Sequence, residues 1–139
     1  MWASSIGVRA VLDANVIVRG LIDRRPDARR WLERVAQREV AAVVPALVFV
    51  EVGQAFVGYV RCGDLTPPTA IRRLEFVRAF PFEVRALDVL APAALAVALE
   101  RGLSVYDACY ASLAEAEDAV LVTADRRLAE AVERSELLS

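Results

Sequence analysis

The segment VRAVLDANVIVRGL, residues 8–21, decides the fold of this chain. Residues 8–12 are apolar and partly β-branched except for Arg9, which is typical of a buried parallel strand. Asp13 ends this run, and residues 14–21 have the pattern of a short helix. The segment therefore predicts a strand that carries a carboxylate at its C-terminal end, followed at once by a helix.

The rest of the chain continues this alternation. Further strands are predicted at residues 40–44, 82–87 and 119–122, and helices at residues 28–38, 45–60, 69–80, 89–101, 104–117 and 125–133. Pro45 is predicted in the first turn of its helix, Asp88 as an N-cap, and Gly102 just past a helix end. Strands that alternate with helices predict an α/β fold with a mainly parallel sheet covered on both faces.

Length and composition favour one well-packed domain over residues 1–139, because 57% of the residues are hydrophobic and 26% are charged. The apolar stretch 40–60 is interrupted by Pro45 and Glu51, so we expect no membrane span. Residues 1–10 lack the pattern of a secretory signal, and a cytoplasmic protein is expected. Cys62 and Cys109 form no Cys-x-x-Cys pair and are expected to be reduced thiols in the core.

Two residue types are missing from the sequence. The chain has no histidine, and all 17 of its basic residues are arginine. Histidine-based triads, His-ligated zinc and the lysine of a phosphate-binding loop are therefore excluded. Paired arginines, such as Arg72 and Arg73, are compatible with a phosphate track or with solvated helix faces. The net charge of −2 does not choose between these interpretations.

Four acidic residues are candidate site residues: Asp13, Glu51, Asp107 and Asp125. Three of them also have a structural explanation. Asp13 and Asp125 precede helices and suit N-caps, and Asp107 completes a capping box with Ser104. Glu51 is the only charged residue between positions 45 and 60, where an ionised carboxylate costs several kcal/mol unless a cation or hydrogen-bond donors compensate it.

The positions of these acids favour a shared site. Asp13 and Asp125 follow predicted strands, and open α/β sheets gather ligands at the carboxyl ends of their strands. Glu51 and Asp107 lie on helices that start near the same edge. Four carboxylates that meet there repel one another, and a hard divalent cation relieves the repulsion. Oxygen ligands without histidine or cysteine suit Mg²⁺ or Mn²⁺.

The sequence resembles the PIN-domain family, and within it the VapC-type toxins of toxin–antitoxin pairs. The resemblance covers nearly the whole chain. Four motifs carry it, in the family's order and at its usual spacing: VLDANVIV (11–18), VVPALVFVEVGQAF (43–56), LSVYDACYASLAE (103–115) and VLVTADRRLAEA (120–131). Each motif contains one of the four acids.

The resemblance implies a three-layer α/β/α sandwich with a parallel sheet of four to five strands. It implies that the four acids are catalytic residues of a metal-dependent endoribonuclease, with Asp13, Asp107 and Asp125 as metal ligands. Asn15 and Thr123 match the polar positions that support the site. A homodimer, an RNA substrate and an antitoxin that binds across the active-site groove are implied as well.

Two departures from the family pattern stand out. Asn15 occupies a position where serine or threonine is also common, and the final edge strand is expected to be short or missing. As a hypothesis for the mechanism, the metal lowers the pKa of a bound water for in-line attack on a phosphodiester, and Glu51 binds or orients another water. Trp31 and Tyr106 are candidates for stacking on RNA bases, although core positions are the favoured interpretation for both.

Other function classes fit less well. Asp13-Ala14-Asn15 superficially resembles the Asp-x-Asp of haloacid dehalogenase-like phosphatases, and receiver domains also cluster acids, but both rely on a lysine that this chain lacks. A DNA flap nuclease is disfavoured by the small size. A non-catalytic PIN-fold module that binds RNA or protein is the main alternative, although a pure binder gains nothing from repelling charges in its groove.

Overall fold

The computed structural model describes residues 8–139 and contains five strands and seven helices in that range. In chain order these are β1 (Val8–Leu12), α1 (Ala14–Leu21), α2 (Pro26–Ala36), β2 (Val40–Pro45), α3 (Leu47–Arg61), α4 (Pro67–Arg78), β3 (Glu83–Arg85), α5 (Leu87–Arg101), α6 (Val105–Ala116), β4 (Val120–Thr123), α7 (Arg126–Glu130) and β5 (Ser135–Leu137). The expectation that residues 1–10 hold no secretory signal falls largely outside the described residues.

All five strands are parallel, in the order β3-β2-β1-β4-β5. The chain builds outward from β1 to β2 and β3, and then crosses to the other side of β1 for β4 and β5. The direction of winding thus reverses between β1 and β4. A crevice opens at the carboxyl ends of the strands on either side of such a reversal, and this is where α/β sheets bind ligands. The predicted parallel α/β fold is confirmed.

The central strands of the sheet are buried on both of their faces. Val11 and Leu12 in β1, and Val43 and Val44 in β2, are all completely buried. Successive strand residues point to opposite faces, so consecutive buried residues require cover on both sides. The helices supply that cover, which gives the three-layer arrangement. The acidic site at the strand ends is therefore built on a rigid core.

Two predicted helix starts are wrong. Pro45 does not begin a helix but ends β2, where it is in register with Arg85 of β3. Proline fits a strand end because its fixed φ is compatible with extended backbone and it lacks only a donor. Asp88 does not cap α5; Ala86 holds that position, and Asp88 lies in the first helical turn, where its charge favours the helix N-terminus.

Other boundary signals are confirmed. Gly102 ends α5 with a left-handed φ of 68°, which glycine adopts without the steric cost of a Cβ. Ser104 caps α6 by accepting a hydrogen bond from the backbone N–H of Asp107 at 3.1 Å. The final edge strand is present but short, since β5 has three residues and pairs with β4. The last helix, predicted to reach residue 133, ends at Glu130 to make room for it.

Burial corrects two single-residue predictions. Cys109 lies in the core as expected, whereas Cys62 is exposed at the end of α3, past the last buried turn. Trp31 is 7% exposed and belongs to the core, but Tyr106 is 64% exposed in the first turn of α6. Tyr106 is therefore not a core residue.

No single helix within residues 8–139 is long and apolar enough to cross a membrane. Helices α5 and α6 reach the required length and hydropathy only when taken together, and they are bent by 106° relative to each other.

Candidate active site

A cleft of about 420 Å³ opens at the carboxyl ends of the strands. Its walls bring together five of the six predicted site residues, which come from the β1–α1 junction, α1, α3, α6 and the loop after β4: Asp13, Asn15, Glu51, Asp107 and Asp125. Thr123, the sixth, is completely buried behind the wall and bonds to Asp13. Elements far apart in sequence thus place all six side chains around one space.

Asp13 lies at the floor of the cleft and is 8% exposed. Its Oδ2 accepts a hydrogen bond from the Thr123 hydroxyl at 2.8 Å and a second from Asn15 Nδ2 at 3.2 Å. The Thr123 hydroxyl oxygen also accepts from the backbone N–H of Asp125 at 3.0 Å. One buried hydroxyl therefore joins the acid after β1 to the acid after β4.

Asn15 bridges the same two strand ends from the first turn of α1. Its Nδ2 lies 3.4 Å from the Thr123 hydroxyl oxygen as well as close to Asp13, and its Oδ1 accepts from the backbone N–H of Ala124 at 3.1 Å. A side-chain amide has N–H donors and an oxygen acceptor, and Asn15 uses both its Nδ2 and its Oδ1 here. Asn15 thus fixes the loop that carries Asp125.

Glu51 reaches the cleft from α3 and is half-buried. Its Oε1 accepts a hydrogen bond of 2.6 Å from the hydroxyl of Tyr110, which is fully buried in α6. Tyr110 was not predicted as a site residue, although it follows Asp107 by three residues and so shares its helix face. The bond holds one carboxylate oxygen of Glu51, and no donor within residues 8–139 bonds to the other.

Helix capping, the structural explanation predicted for Asp13, Asp107 and Asp125, is observed for the side chain of only one of them. Asp13 occupies the N-cap position of α1 but makes no side-chain cap bond, and the capping of α6 near Asp107 is carried out by Ser104. Asp125 does cap α7, because its Oδ1 accepts from the backbone N–H groups of Arg127 and Leu128. Among the four acids, side-chain capping thus explains Asp125 alone, and no donor within residues 8–139 bonds to its Oδ2.

The acids in the cleft disfavour one another's ionised form. The pKa of Asp13 is raised to about 6. Burial is the main cause and the charges of Glu51 and Asp107 also raise it, whereas the hydrogen bond from Thr123 lowers it. Burial also raises the pKa of Glu51, which Tyr110 opposes and Asp107 reinforces. For Asp107, burial and then the charge of Asp125 raise the pKa. The cleft is thus an electrostatically strained cluster that a cation would relieve.

The donor set fits a hydrated divalent cation. The side chains that line the cleft offer carboxylate oxygens and no nitrogen or sulfur ligand, which suits Mg²⁺ or Mn²⁺. In residues 8–139, however, no group of three acidic or cysteine side chains is arranged to hold an ion by itself. Mg²⁺ usually keeps several waters and is held by one or two carboxylates, so a closed protein cage is not required.

Two further charged residues line the cleft and were missed from the sequence. Arg19 follows Asn15 by four residues on α1, and the helical spacing gave a signal for it. Asp23 follows the end of α1, and its Oδ1 accepts a hydrogen bond from the Tyr59 hydroxyl at 2.7 Å. Nothing in the local sequence around Asp23 indicates this contact.

Comparison with known proteins agrees with this geometry. The PIN domain family matches residues 10–133. A protein of Pyrobaculum aerophilum named exonuclease VapC9 is 37% identical over 99 residues, which cover 71% of this chain and 70% of that protein. The family match over residues 10–133 includes all of the cleft residues described above.

Solved structures share the fold. The Pyrobaculum aerophilum protein PAE2754 superposes with a TM-score of 0.71 at 29% identity, over 96% of this chain and 91% of that one. The VapBC2 complex of Rickettsia felis, bound to a promoter DNA fragment, gives 0.67 at 17% identity, over 95% and 100% of the two chains. A toxin–antitoxin complex from Klebsiella pneumoniae gives 0.64 at 18% identity, over 91% and 95%. With the family match and the VapC9 relative, the predicted resemblance is confirmed: this chain belongs to the PIN-domain family.

Proposed function

We propose that this chain acts as one nuclease domain, a divalent-metal-dependent endoribonuclease that is the toxin of a toxin–antitoxin pair. The observation that carries the proposal is the cluster of four half-buried or buried carboxylates, Asp13, Glu51, Asp107 and Asp125, which share one cleft. Burial, with the charges of neighbouring acids, raises the pKa of Asp13, Glu51 and Asp107. A binding module has no use for such a cluster, whereas a metal nuclease requires it. Membership in the PIN-domain family and the VapC9 relative support the same assignment.

In this proposal Mg²⁺ or Mn²⁺ would bind among Asp13, Asp107 and Asp125, directly to one or two of these carboxylates and through bound water to the rest. The bound cation supplies a water of lowered pKa and offsets the charge that develops on the phosphate. Asp13 is held in place by Thr123 and Asn15, so its orientation needs no rearrangement when the substrate arrives.

Glu51 has a different role from the other three acids. Tyr110 holds one of its oxygens at 2.6 Å, and the free oxygen can accept a proton from a water in the cleft or orient that water. Its raised pKa brings it closer to neutrality, where a general base works best. We therefore assign Glu51 to water positioning and Asp13, Asp107 and Asp125 to the metal.

The proposed partners are an antitoxin and a second copy of the chain, and we place the activity in the cytoplasm with the cellular RNA. The Rickettsia felis and Klebsiella pneumoniae structures are toxin–antitoxin complexes with the same fold, which supports the antitoxin. The chain also exposes large apolar side chains, with Val89 and Leu99 of α5 76% and 78% exposed. Such surfaces are typical of proteins that associate.

The experiment is cleavage of total cellular RNA by the purified protein with Mg²⁺ or Mn²⁺, compared with Asp107→Asn and followed by mapping of the new ends. We expect discrete metal-dependent cuts by the wild type and none by the variant. If both proteins leave RNA intact with either metal, the catalytic assignment is wrong and the binding-module alternative takes its place.

A circularised single-stranded RNA that contains a mapped cut site separates internal cleavage from exonuclease action. An endonuclease opens the circle, whereas an exonuclease has no end to start from. The comparison matters because the VapC9 relative is named an exonuclease. Degradation of the linear form with no opening of the circle would refute the endonuclease part of the proposal.

A further inference from the structure

Arg19 has an unusual position for a basic residue. Of the residues within 8–139 that line the acidic cleft, it is the sole cation, among the carboxylates of Asp13, Asp23, Glu51, Asp107 and Asp125. It belongs to α1, four residues after Asn15, so it lies about 6 Å further along the helix axis on nearly the same face. Arg19 is thus beside the proposed metal ligands and not among them.

Most N–H groups of the Arg19 guanidinium make no hydrogen bond to residues 8–139. Its Nη1 donates one hydrogen bond to the backbone oxygen of Ser139 at 2.9 Å. Within residues 8–139, no aspartate or glutamate side chain lies within 4.0 Å of it, although eight other ion contacts of that length occur there. A guanidinium has five N–H donors, so several remain for a ligand in the cleft.

The segment after β5 holds this guanidinium in place. The backbone N–H and the hydroxyl of Ser139 both donate to Asp27 Oδ2, at 3.1 and 3.0 Å. The preceding residue, Leu138, is buried and donates from its backbone to the carbonyl of Thr123 at 2.8 Å. The oxygen that binds Arg19 is therefore attached to α2 and β4 and does not belong to a free tail.

We infer that Arg19 binds a phosphate of the RNA strand next to the phosphodiester that is cut, and so positions the strand across the acidic cleft. A guanidinium recognises phosphate with two parallel N–H···O bonds, and it is the only kind of basic side chain in this protein. The cation at the acids can offset the charge only at the cleaved bond. Among the residues that line the cleft, Arg19 alone offers a positive charge to the neighbouring phosphates. This inference rests on the proposed ribonuclease function, since it takes single-stranded RNA as the substrate.

The test measures binding separately from cleavage. Fluorescence anisotropy with a fluorescein-labelled single-stranded RNA that contains a mapped cut site, or a mixed-sequence RNA if none is found, gives Kd for the Asp107→Asn protein in Mg²⁺ at several KCl concentrations. Arg19→Gln and Arg19→Lys are added to this background. Arg30→Gln, on the exposed face of α2, is the matched control for loss of one positive charge. Circular dichroism verifies that all variants fold.

We expect Arg19→Gln to weaken binding about fivefold at 0.1 M salt and to reduce the slope of log K against log salt by about 0.7, the value for one phosphate contact on a single strand. Arg19→Lys keeps the slope but loses part of the affinity, because the ammonium cannot form the two-pronged contact. Arg30→Gln leaves both quantities unchanged. In the cleaving protein, Arg19→Gln raises KM more than it lowers kcat.

The inference is overturned if Arg19→Gln binds with unchanged Kd and slope, if Arg30→Gln has the same effect as Arg19→Gln, or if the Asp107→Asn protein binds no RNA. Failure of the Arg19 inference and failure of the proposed nuclease function give different results in these assays. Cleavage by the wild type with unchanged binding by Arg19→Gln refutes the role of Arg19 alone. RNA binding that depends on Arg19, without any cleavage by the wild type, refutes the nuclease and retains the phosphate contact.

Discussion

Replacing Asp13 with asparagine is expected to stabilise the metal-free protein while abolishing RNA cleavage. Asp13 is 8% exposed, and burial followed by the charges of Glu51 and Asp107 keeps its pKa near 6 in the folded protein, against 3.8 as the ordinary value. The folded state therefore holds the Asp13 proton more tightly than the unfolded state does. Between pH 4 and pH 6 stability is lost as the pH rises, because ionising Asp13 disfavours folding.

The magnitude follows from the shift. At 1.36 kcal/mol per pKa unit, a rise from 3.8 to about 6 corresponds to about 3 kcal/mol at neutral pH. Asparagine avoids this cost and keeps an oxygen that can accept from the Thr123 hydroxyl. It loses one acceptor oxygen, and a lost hydrogen bond costs about 1 kcal/mol. We expect a net gain of about 2 kcal/mol above pH 7, which disappears below pH 4.

The assay is urea unfolding in EDTA, repeated from pH 4 to pH 8. Asp64→Asn is the control, because Asp64 is exposed and lies outside the cleft. Adding Mg²⁺ should reduce the difference in free energy of unfolding between Asp13→Asn and the wild type, because a ligand that binds only the folded wild type stabilises it. The reasoning is refuted if Asp13→Asn is less stable than the wild type at pH 7.5 in EDTA, or if their difference does not change between pH 4 and pH 7.

Three further substitutions test single contacts. Tyr110→Phe removes the hydroxyl that donates to Glu51. We therefore expect kcat for RNA cleavage to fall about tenfold with little change in KM. An unchanged kcat would show that this bond does not position Glu51. Thr123→Val takes the buried donor from Asp13 and is expected to lower the free energy of unfolding by about 1–2 kcal/mol, whereas equal urea midpoints would contradict the hydrogen-bond assignment. Gly102→Ala adds a Cβ to a residue whose φ is 68°, with no neighbouring atom within 4 Å of that Cβ. Backbone strain alone is therefore expected to lower the free energy of unfolding by about 1 kcal/mol, as measured by thermal unfolding. No loss of stability would contradict the left-handed helix end.

The sequence pattern predicted which residues belong to the site but not how they connect. Asp13 and Asp125 were expected at one sheet edge because both follow strands. The pattern did not state that β4 lies directly beside β1, and this strand order is what brings Thr123 within 2.8 Å of Asp13. Strand order depends on packing between distant segments, so it cannot be predicted from the local periodicity of the sequence.

Short or ambiguous signals account for the remaining errors. Pro45 suits a strand end as well as a first helical turn, and only the register with Arg85 decides between them. β5 has three residues, too few to show an alternating pattern. Arg19 gave a helical-spacing signal, but its contact with Ser139 joins residues 120 positions apart and could not be read locally.

The central claim is that the acidic cleft holds a divalent cation, and Mn²⁺ binding followed by electron paramagnetic resonance tests it most directly. Free and bound Mn²⁺ are measured for the wild type, Asp13→Asn and Asp64→Asn at pH 7.5. We expect wild type and Asp64→Asn to bind Mn²⁺ with equal affinity, and Asp13→Asn to bind it at least about tenfold more weakly, which corresponds to about 1.4 kcal/mol. Equal binding by all three proteins, or no binding by the wild type, would contradict it.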